Sequence, residues 1–235
     1  MSSSPDPIQP EYFIRFVDKF IDEKQWKEKP EDIATVLFTC MSFDETGCLE
    51  KLLPVLDSEE EFKNIDLYNQ LMLVALNQKA MNSVRLLLPL VNPNFNQSIF
   101  VYASVENNLE EALDCFLDIC DMSGSDRGCD INLTFSKACA KGYLSMAKKL
   151  LPHADPNYQG GHCLWGALVN NHPETALWLL DYCDVNAFIE SKSLFEDDRF
   201  KEEATLFKSL QSQHQKNKLE EQTVPVSKHK SSLRC

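Results

Sequence analysis

Glycine is scarce in this chain: there are seven glycines among 235 residues, fewer than the eleven prolines. No G-x-x-x-x-G-K or G-x-G-x-x-G pattern occurs, so the chain lacks the loops that cradle nucleotide phosphates. The longest apolar runs are about half the length that a membrane-spanning helix needs. The start, "MSSSPDPIQPEY", is polar and proline-rich, unlike a signal peptide. We therefore expect a soluble, cytoplasmic protein that uses no cofactor.

The cysteines are numerous but lack the spacing of a metal site. An odd number of cysteines without an export signal predicts reduced, mostly buried thiols. The sequence contains no C-x-x-C pair, the spacing typical of a zinc site. Cys163 follows His162, but neighbouring helical residues point about 100° apart, so we expect packing rather than proton transfer between the two. A thiol-dependent enzyme using Cys163 or Cys139 is the alternative. The nine cysteines are residues 40, 48, 115, 120, 129, 139, 163, 183 and 235.

The formal net charge is −13, unevenly distributed. Residues 212–235 contain five Lys/Arg and two Glu, so this tail carries +3 and the remainder −16. An acidic body repels nucleic acid phosphates and suits a protein partner with a basic surface. We expect a protein partner, no nucleic acid and no membrane, and a monomer when free.

A helical unit recurs along the chain, and its clearest copy is residues 160–187, "GGHCLWGALVNNHPETALWLLDYCDVNA". The pattern predicts a first helix over 163–169, a turn at "NNHP", and a second helix over 174–180, because proline favours a helix's first position. Earlier copies place an alanine on each first helix, followed by a turn near Lys79, at 107–108 and at Gly142. A weaker copy lies around Gly47. The aligned alanines are Ala75, Ala103, Ala138 and Ala167.

Each second helix is followed by a recurring phrase of leucines and turn residues. Examples are "LLPVLD" at 52–57, "LLLPLVNPN" at 86–94 and "LLPHADPN" at 150–157. Proline disfavours helical geometry in the residue before it, so the helix should close there. Asp and Asn then form a turn by bonding nearby backbone groups. A helix–turn–helix unit cannot bury its apolar face alone, so the units should stack.

The unit resembles the ankyrin repeat in a divergent form, over residues 65–187 and, with the weaker copy, from 33. The family's second-helix pattern, Gly-His-x-Glu-Ile-Val-x-Leu-Leu-Leu, matches "NHPETALWLL" at His172, Glu174, Leu179 and Leu180. Its tip pattern, Ala-Asp-x-Asn, matches "ADPN" at 154–157. The family's Thr-Pro-Leu-His is replaced by "HCLW". The resemblance implies an all-α, ankyrin-like solenoid. Tetratricopeptide and HEAT repeats are rivals, but the former lack the Asp-x-Asn tip and the latter are longer.

The ends of the chain are expected to cap the stack. We predict an N-terminal capping helix within 1–32, about five repeats over 33–187, a C-terminal capping helix over 188–211 and a disordered tail over 212–235. The N-terminal helix places five apolar residues on one face. These are Phe13, Phe16, Val17, Phe20 and Ile21.

In ankyrin-like stacks, partners usually bind the hairpin tips and first helices. Aromatic residues dominate binding hot spots, so Tyr158 and Trp165 are the leading candidates. A position buried between repeats is the alternative for Trp165 and Tyr102. The loop 121–130, which contains "SGSDRGCD", is a second candidate contact or a merely tolerated insertion. The predicted protein-binding residues are Phe95, Asn96, Tyr102, Tyr158, Gln159, His162 and Trp165.

The sequence predicts a non-catalytic protein-binding module. Divergent ankyrin-like units with a polar tail resemble those of secreted bacterial effectors, which would act on a protein in the host cytosol. The alternative biological role is that of an acidic inhibitor or immunity protein that binds a basic toxin or enzyme.

Overall fold

The computed structural model describes residues 10–23, 30–58, 65–96, 99–120, 130–188, 209 and 211–219. Three of our expectations fall wholly or largely outside this part of the chain. They concern the loop 121–130, the C-terminal capping helix over 188–211 and the tail after residue 219.

The fold is all-α, as predicted, and the described residues contain no β-strand. Short 3-10 turns cover Leu88–Leu90 and Leu151–His153. The α-helices are α1 Pro10–Asp22, α2 Pro30–Ser42, α3 Thr46–Ser58, α4 Ile65–Gln78, α5 Met81–Leu87, α6 Ile99–Glu106, α7 Glu110–Ile119, α8 Ile131–Ala140, α9 Leu144–Leu150, α10 Tyr158–Val169 and α11 Pro173–Leu179.

The chain divides into two compact parts, residues 1–134 and 135–235, and the division falls inside α8. In the N-terminal part, α4 packs against both α2 and α6, while α3 packs against both α1 and α5. The rings of Phe100 and Phe116 stack 5.1 Å apart, and both are fully buried. In the C-terminal part, α10 packs against α11. Phe135, Leu164 and Leu179 are fully buried there.

Five helical pairs share one type of turn: α2–α3, α4–α5, α6–α7, α8–α9 and α10–α11. A single residue with positive φ follows each first helix, and the next backbone N–H donates to a carbonyl five residues earlier. This Schellman geometry satisfies carbonyls at a helix end. The positive-φ residues are Asp44 (52°), Lys79 (59°), Asn108 (57°), Gly142 (71°) and Asn171 (59°). The bonds run from Glu45 to Cys40 (3.0 Å), Ala80 to Ala75 (2.9 Å), Leu109 to Ser104 (2.8 Å), Tyr143 to Ala138 (2.9 Å) and His172 to Ala167 (2.8 Å).

The shared turn corrects two details of the sequence alignment. Ser104, not Ala103, is equivalent to Ala75, because its carbonyl accepts the bond that closes the turn. The Ser104 hydroxyl donates to the Phe100 carbonyl at 2.7 Å, so a buried serine can replace alanine there. In the first pair the turn residue is Asp44, and Gly47 lies inside α3.

Prolines after paired leucines act differently in different pairs. The helices α5 and α9 end one residue before the second leucine, and Pro89 and Pro152 lie in 3-10 turns. The prediction of a helix stop at 52–57 is wrong, because α3 continues through Pro54 to Ser58. Pro54 and Glu50 lie on the exposed side of α3, where water can bond the Glu50 carbonyl that Pro54 leaves without its helical donor.

Both ends of the described chain differ from expectation in one respect. On α1, Val17 and Phe20 are buried, but Phe16 is 46% exposed because the space beside it towards α2 is a groove. Residues 211–219 are helical, whereas we expected disorder from 212. His214 and Lys218 lie one helical turn apart, and each contacts the Asp181 carboxylate at 2.8 Å, which accounts for the order of this segment.

Candidate protein-binding surfaces

The tips that follow three of the second helices share a hydrogen-bonded turn. A side-chain oxygen accepts a hydrogen bond from the backbone N–H two residues later, as Asn and Asp do in Asx turns. This explains the Asp and Asn residues of the recurring phrase: after the helix ends, Asn92, Asp155 or Asp184 fixes the turn. The donor and acceptor pairs are Asn94 with Asn92 (3.1 Å), Asn157 with Asp155 (2.8 Å) and Asn186 with Asp184 (3.0 Å).

Successive tips are also joined in the same way within each compact part. The Cys120 thiol donates to the Pro93 carbonyl at 3.2 Å, and the Cys183 thiol donates to the Pro156 carbonyl at 3.4 Å. Each cysteine lies 27 residues after its proline, so the contact repeats with the period of the helical pairs.

Four of the seven predicted binding residues lie together at the start of α10. Residues 159–161 have left-handed backbone geometry, with φ of 50°, 65° and 75°, so they divide the regular helix from Tyr158. This bend exposes Gln159, whose amide donates to the Tyr158 hydroxyl at 3.3 Å. His162 and Trp165 are half-buried on the helix that follows.

Trp165 is neither wholly buried between pairs nor wholly exposed. Its ring makes a tilted contact with the buried ring of Phe188, with the centroids 6.5 Å apart, while the residue as a whole is half-buried. Part of the indole therefore anchors the start of α10, and part remains accessible. A ring held in this way is a rigid contact residue of the kind found at binding hot spots.

The other three predicted residues belong to the N-terminal part. Phe95 stacks on Phe100 at 6.1 Å and is half-buried at the edge of the core. Asn96 is exposed with φ of 43°, and Tyr102 is half-buried on α6. The tip and the first helix thus present a second, smaller set of polar and aromatic groups.

A groove between α1 and α2 was not predicted from the sequence. It has a volume of about 460 Å³ and an aromatic wall, and Tyr12 is 68% exposed on it. From the sequence we assigned the apolar face of α1 to capping the stack, and Phe16 at the edge of that face lies beside the groove. The groove is lined by Tyr12, Phe13, Phe16, Asp32, Thr35, Val36 and Thr39.

Three thiols meet in the C-terminal part, a feature that sequence spacing did not reveal. The sulfurs of Cys163 and Cys183 are 3.7 Å apart, and the Cys163 thiol donates to the Pro156 carbonyl at 3.1 Å. The contacts with the Cys139 and Cys183 sulfurs lower the pKa of Cys163. The contact with Cys163, together with burial, raises the pKa of both Cys139 and Cys183.

Two negative observations apply to the part of the chain that the structure describes. No group of three or more His, Cys, Asp or Glu residues there is arranged to hold a metal ion. No helix in those ranges has the length and apolar character needed to cross a bilayer.

No protein-family profile, curated protein or solved structure matches this chain.

Proposed function

We propose that this chain is a non-catalytic protein-interaction module built from ankyrin-like helical pairs. The observation that carries the proposal is the turn repeated five times with a positive-φ residue at the same place. A repeated pair with a fixed turn at one end and a fixed Asx tip at the other is how repeat proteins present a continuous binding surface. The tip-to-tip bonds of Cys120 and Cys183 support the same architecture.

The bound partner is a protein with a basic surface. The chain carries a net charge of −13, and Asp155 and Asp184 are exposed at the tips. Each of these carboxylates accepts a backbone hydrogen bond, so its charge is held at a fixed point rather than on a mobile side chain. Complementary charge raises association rates and suppresses wrong partners. The binding should therefore weaken as salt concentration rises.

The surface centres on the start of α10. The four residues there, Tyr158, Gln159, His162 and Trp165, combine the exposed amide of Gln159 with half-buried rings, one of them anchored on Phe188. Truncation of a hot-spot aromatic residue costs about 2 kcal/mol or more, which is roughly thirtyfold in affinity.

A thiol-dependent enzyme is the less favoured function. Cys163 is 1% exposed, and its sulfur contacts a backbone carbonyl and another thiol. A nucleophile of this class needs a base within hydrogen-bond reach and access to substrate. At 1% exposure the Cys163 sulfur has almost no contact with solvent, which disfavours the turnover of a substrate.

The test compares wild type with two variants in capture of a partner, followed by reconstitution from purified proteins. Trp165→Ala should lower the affinity about thirtyfold. Leu177→Ala removes a 39%-exposed apolar residue of α11 and should leave binding unchanged. Circular dichroism and a melting curve check that both variants are folded. Equal binding by both variants would place the interface elsewhere, and failure to reconstitute any complex would refute the module.

The two biological uses differ in what the C-terminal segment does. If the chain is a secreted effector, translocation into host cells should be lost when residues 220–235 are deleted. This cut preserves His214 and Lys218, whose contacts with Asp181 order residues 211–219. An inhibitor or immunity protein would bind its basic target equally well with and without those residues.

A further inference from the structure

The sulfurs of Cys163 and Cys183 compete for one acceptor. Both thiols point at the Pro156 carbonyl, at 3.1 Å and 3.4 Å, and this shared acceptor brings the two sulfurs within 3.7 Å of each other. A disulfide bond is about 2.05 Å long, so closing the pair requires a sulfur approach of less than about 2 Å. Cys163 lies on α10 and Cys183 follows α11, so the bond would join the two helices of the fifth pair.

We propose that Cys163 and Cys183 form a dithiol that hydrogen peroxide converts to an intrachain disulfide. In the first step the Cys163 thiolate attacks a peroxide oxygen, the O–O bond breaks and hydroxide leaves. This hydroxide takes up the proton that Cys163 released, giving water. The Cys183 sulfur then attacks the sulfenic acid on Cys163, a second water leaves and the S–S bond forms. Two thiols lose two electrons in all, and peroxide is reduced to two waters.

Cys163 is the first sulfur to react, because its surroundings favour its thiolate. The Cys183 sulfur lies 3.7 Å away, and the contacts with Cys139 and Cys183 lower the pKa of Cys163. The thiolate is the form that attacks peroxide. Cys183 is 8% exposed, compared with 1% for Cys163, so a small oxidant reaches the pair from the side of Cys183.

The chain contains its own comparison pair. Cys40 and Cys48 are in contact in the N-terminal part, and both are buried. Burial raises the pKa of both thiols, so neither provides a thiolate at neutral pH. They should remain reduced under conditions that oxidise Cys163 and Cys183.

Oxidation should also loosen the tip at residues 155–157. The Pro156 carbonyl accepts both S–H donors in the reduced protein, and neither donor survives in the disulfide. The hydrogen bond from the Asp184 N–H to the Asn157 side chain, 2.6 Å long, does not involve sulfur and would remain. If the proposed binding surface at Tyr158 is correct, the same oxidation would weaken partner binding, but the thiol chemistry does not depend on that surface.

The experiment treats the full, folded chain with hydrogen peroxide, blocks the remaining thiols after denaturation and maps the products by mass spectrometry. Trypsin leaves Cys163 and Cys183 on one peptide, because no Lys or Arg lies between Lys149 and Lys192. Cleavage by Glu-C protease after Glu174 separates them, so only a disulfide keeps the two fragments together. We expect this linked product to be reversed by dithiothreitol. We also expect Cys163 and Cys183 to lose free thiol at least about tenfold faster than Cys40 and Cys48.

Two variants separate the roles of the three sulfurs. Cys183→Ser should leave a sulfenic acid on Cys163 that dimedone captures, whereas Cys139→Ser should still give the linked product. Three outcomes would overturn the proposal. One is a link from Cys163 to Cys139, which lies on the separate tryptic peptide 138–141. The second is equal oxidation of the Cys40–Cys48 pair, and the third is a disulfide that forms only in denatured protein. The wild-type mapping needs no substitution, so a misfolded variant cannot decide the result.

Discussion

Replacing Gly142 with alanine should destabilise the protein, because this glycine closes the turn of the fourth pair. Its φ is +71°, where a residue with a Cβ pays about 1–2 kcal/mol. A Cβ added there would also lie 2.4 Å from Nδ1 and 2.7 Å from Cγ of His172, so the imidazole must move. Forcing a packed side chain aside costs about 1–3 kcal/mol.

The net effect follows from these opposing terms. Alanine restricts the unfolded chain and so returns about 0.4–1 kcal/mol. We therefore expect Gly142→Ala to lower the free energy of unfolding by about 2–3 kcal/mol, or roughly 4–12 °C in Tm for a chain of this length. Removing the imidazole in Gly142→Ala/His172→Ala should recover the steric part and leave the backbone strain. Urea unfolding followed by tryptophan fluorescence in a Trp26→Phe background, where Trp165 and Trp178 remain, measures this part of the chain.

Gly47→Ala is the matched control, because the same substitution should act in the opposite direction. Gly47 is exposed in the first turn of α3, and an added Cβ meets nothing within 4 Å. Alanine should stabilise that helix by about 0.5 kcal/mol. Hydrogen exchange of α3 amides reads out the local effect. If Gly47→Ala destabilised as much as Gly142→Ala, the turn of the first pair would lie at Gly47 and the equivalence of the turns would fail. A neutral Gly142→Ala would refute the steric argument itself.

Three further predictions test packing and electrostatics. Gly166→Ala should destabilise the protein by about 1 kcal/mol, although alanine has the better helix propensity, because the added Cβ would lie 2.9 Å from the Cβ of Ala140. Adding Ala140→Gly in the same chain should reverse this loss in a double-mutant cycle. Phe116→Ala should cost about 3–5 kcal/mol in urea unfolding, because the ring is fully buried against an aromatic neighbour. The Lys218 ammonium lowers the pKa of Asp181, with a smaller effect from the His214 imidazole, so this contact contributes above the ordinary pKa of 3.8 and is lost as pH falls below it. Asp181→Asn should remove the hydrogen-exchange protection of residues 211–219 at neutral pH, and protection unchanged by both acid and the variant would contradict this assignment.

The helical pairs could be predicted from the sequence because their signals are local. Apolar periodicity marks the helices, and "NNHP" marks the turn before α11, where Pro173 takes the first helical position as expected. Gly142 and Asn171 are residue types that tolerate positive φ, so their turns could be assigned directly. Lys79 is not such a residue. Its turn was predicted by alignment with the other copies rather than by its own chemistry.

The alignment of Ala103 and the helix stop at Pro54 were wrong because, in each case, two residues give the same local signal. Ala103 and Ser104 are both small, and only the carbonyl that accepts the Leu109 N–H distinguishes them. Pro54 has the same leucine context as Pro152, yet α3 continues through it. Glu50 and Lys148, the residues four positions before the two prolines, are both exposed, so neither the phrase nor surface position separates the two outcomes.

The candidate sites were less predictable because they depend on contacts between pairs. The spacing of Cys139, Cys163 and Cys183 matches no thiol motif, and they meet because neighbouring pairs pack together. The aromatic groove beside Tyr12 likewise exists only once α1 lies along α2. Periodicity identifies which residues face a neighbour, but it cannot say what that neighbour places opposite them.

The two ends of a helical pair should respond differently to substitution. At the turn end, side chains join one pair to the next: the Asp44 carboxylate accepts from the N–H of Ser83 at 2.9 Å, and the Asn107 amide donates to Asn77 at 3.0 Å. At the tip end, the Asp155 carboxylate accepts from the Asn157 N–H and fixes the turn, while other side chains such as Gln159 are exposed. Because a short turn makes the two helices antiparallel, these ends lie apart within each pair. Substitutions at the turns should therefore change stability with little effect on a partner, whereas substitutions of exposed tip side chains that fix no turn, such as Gln159, should change binding with little effect on stability.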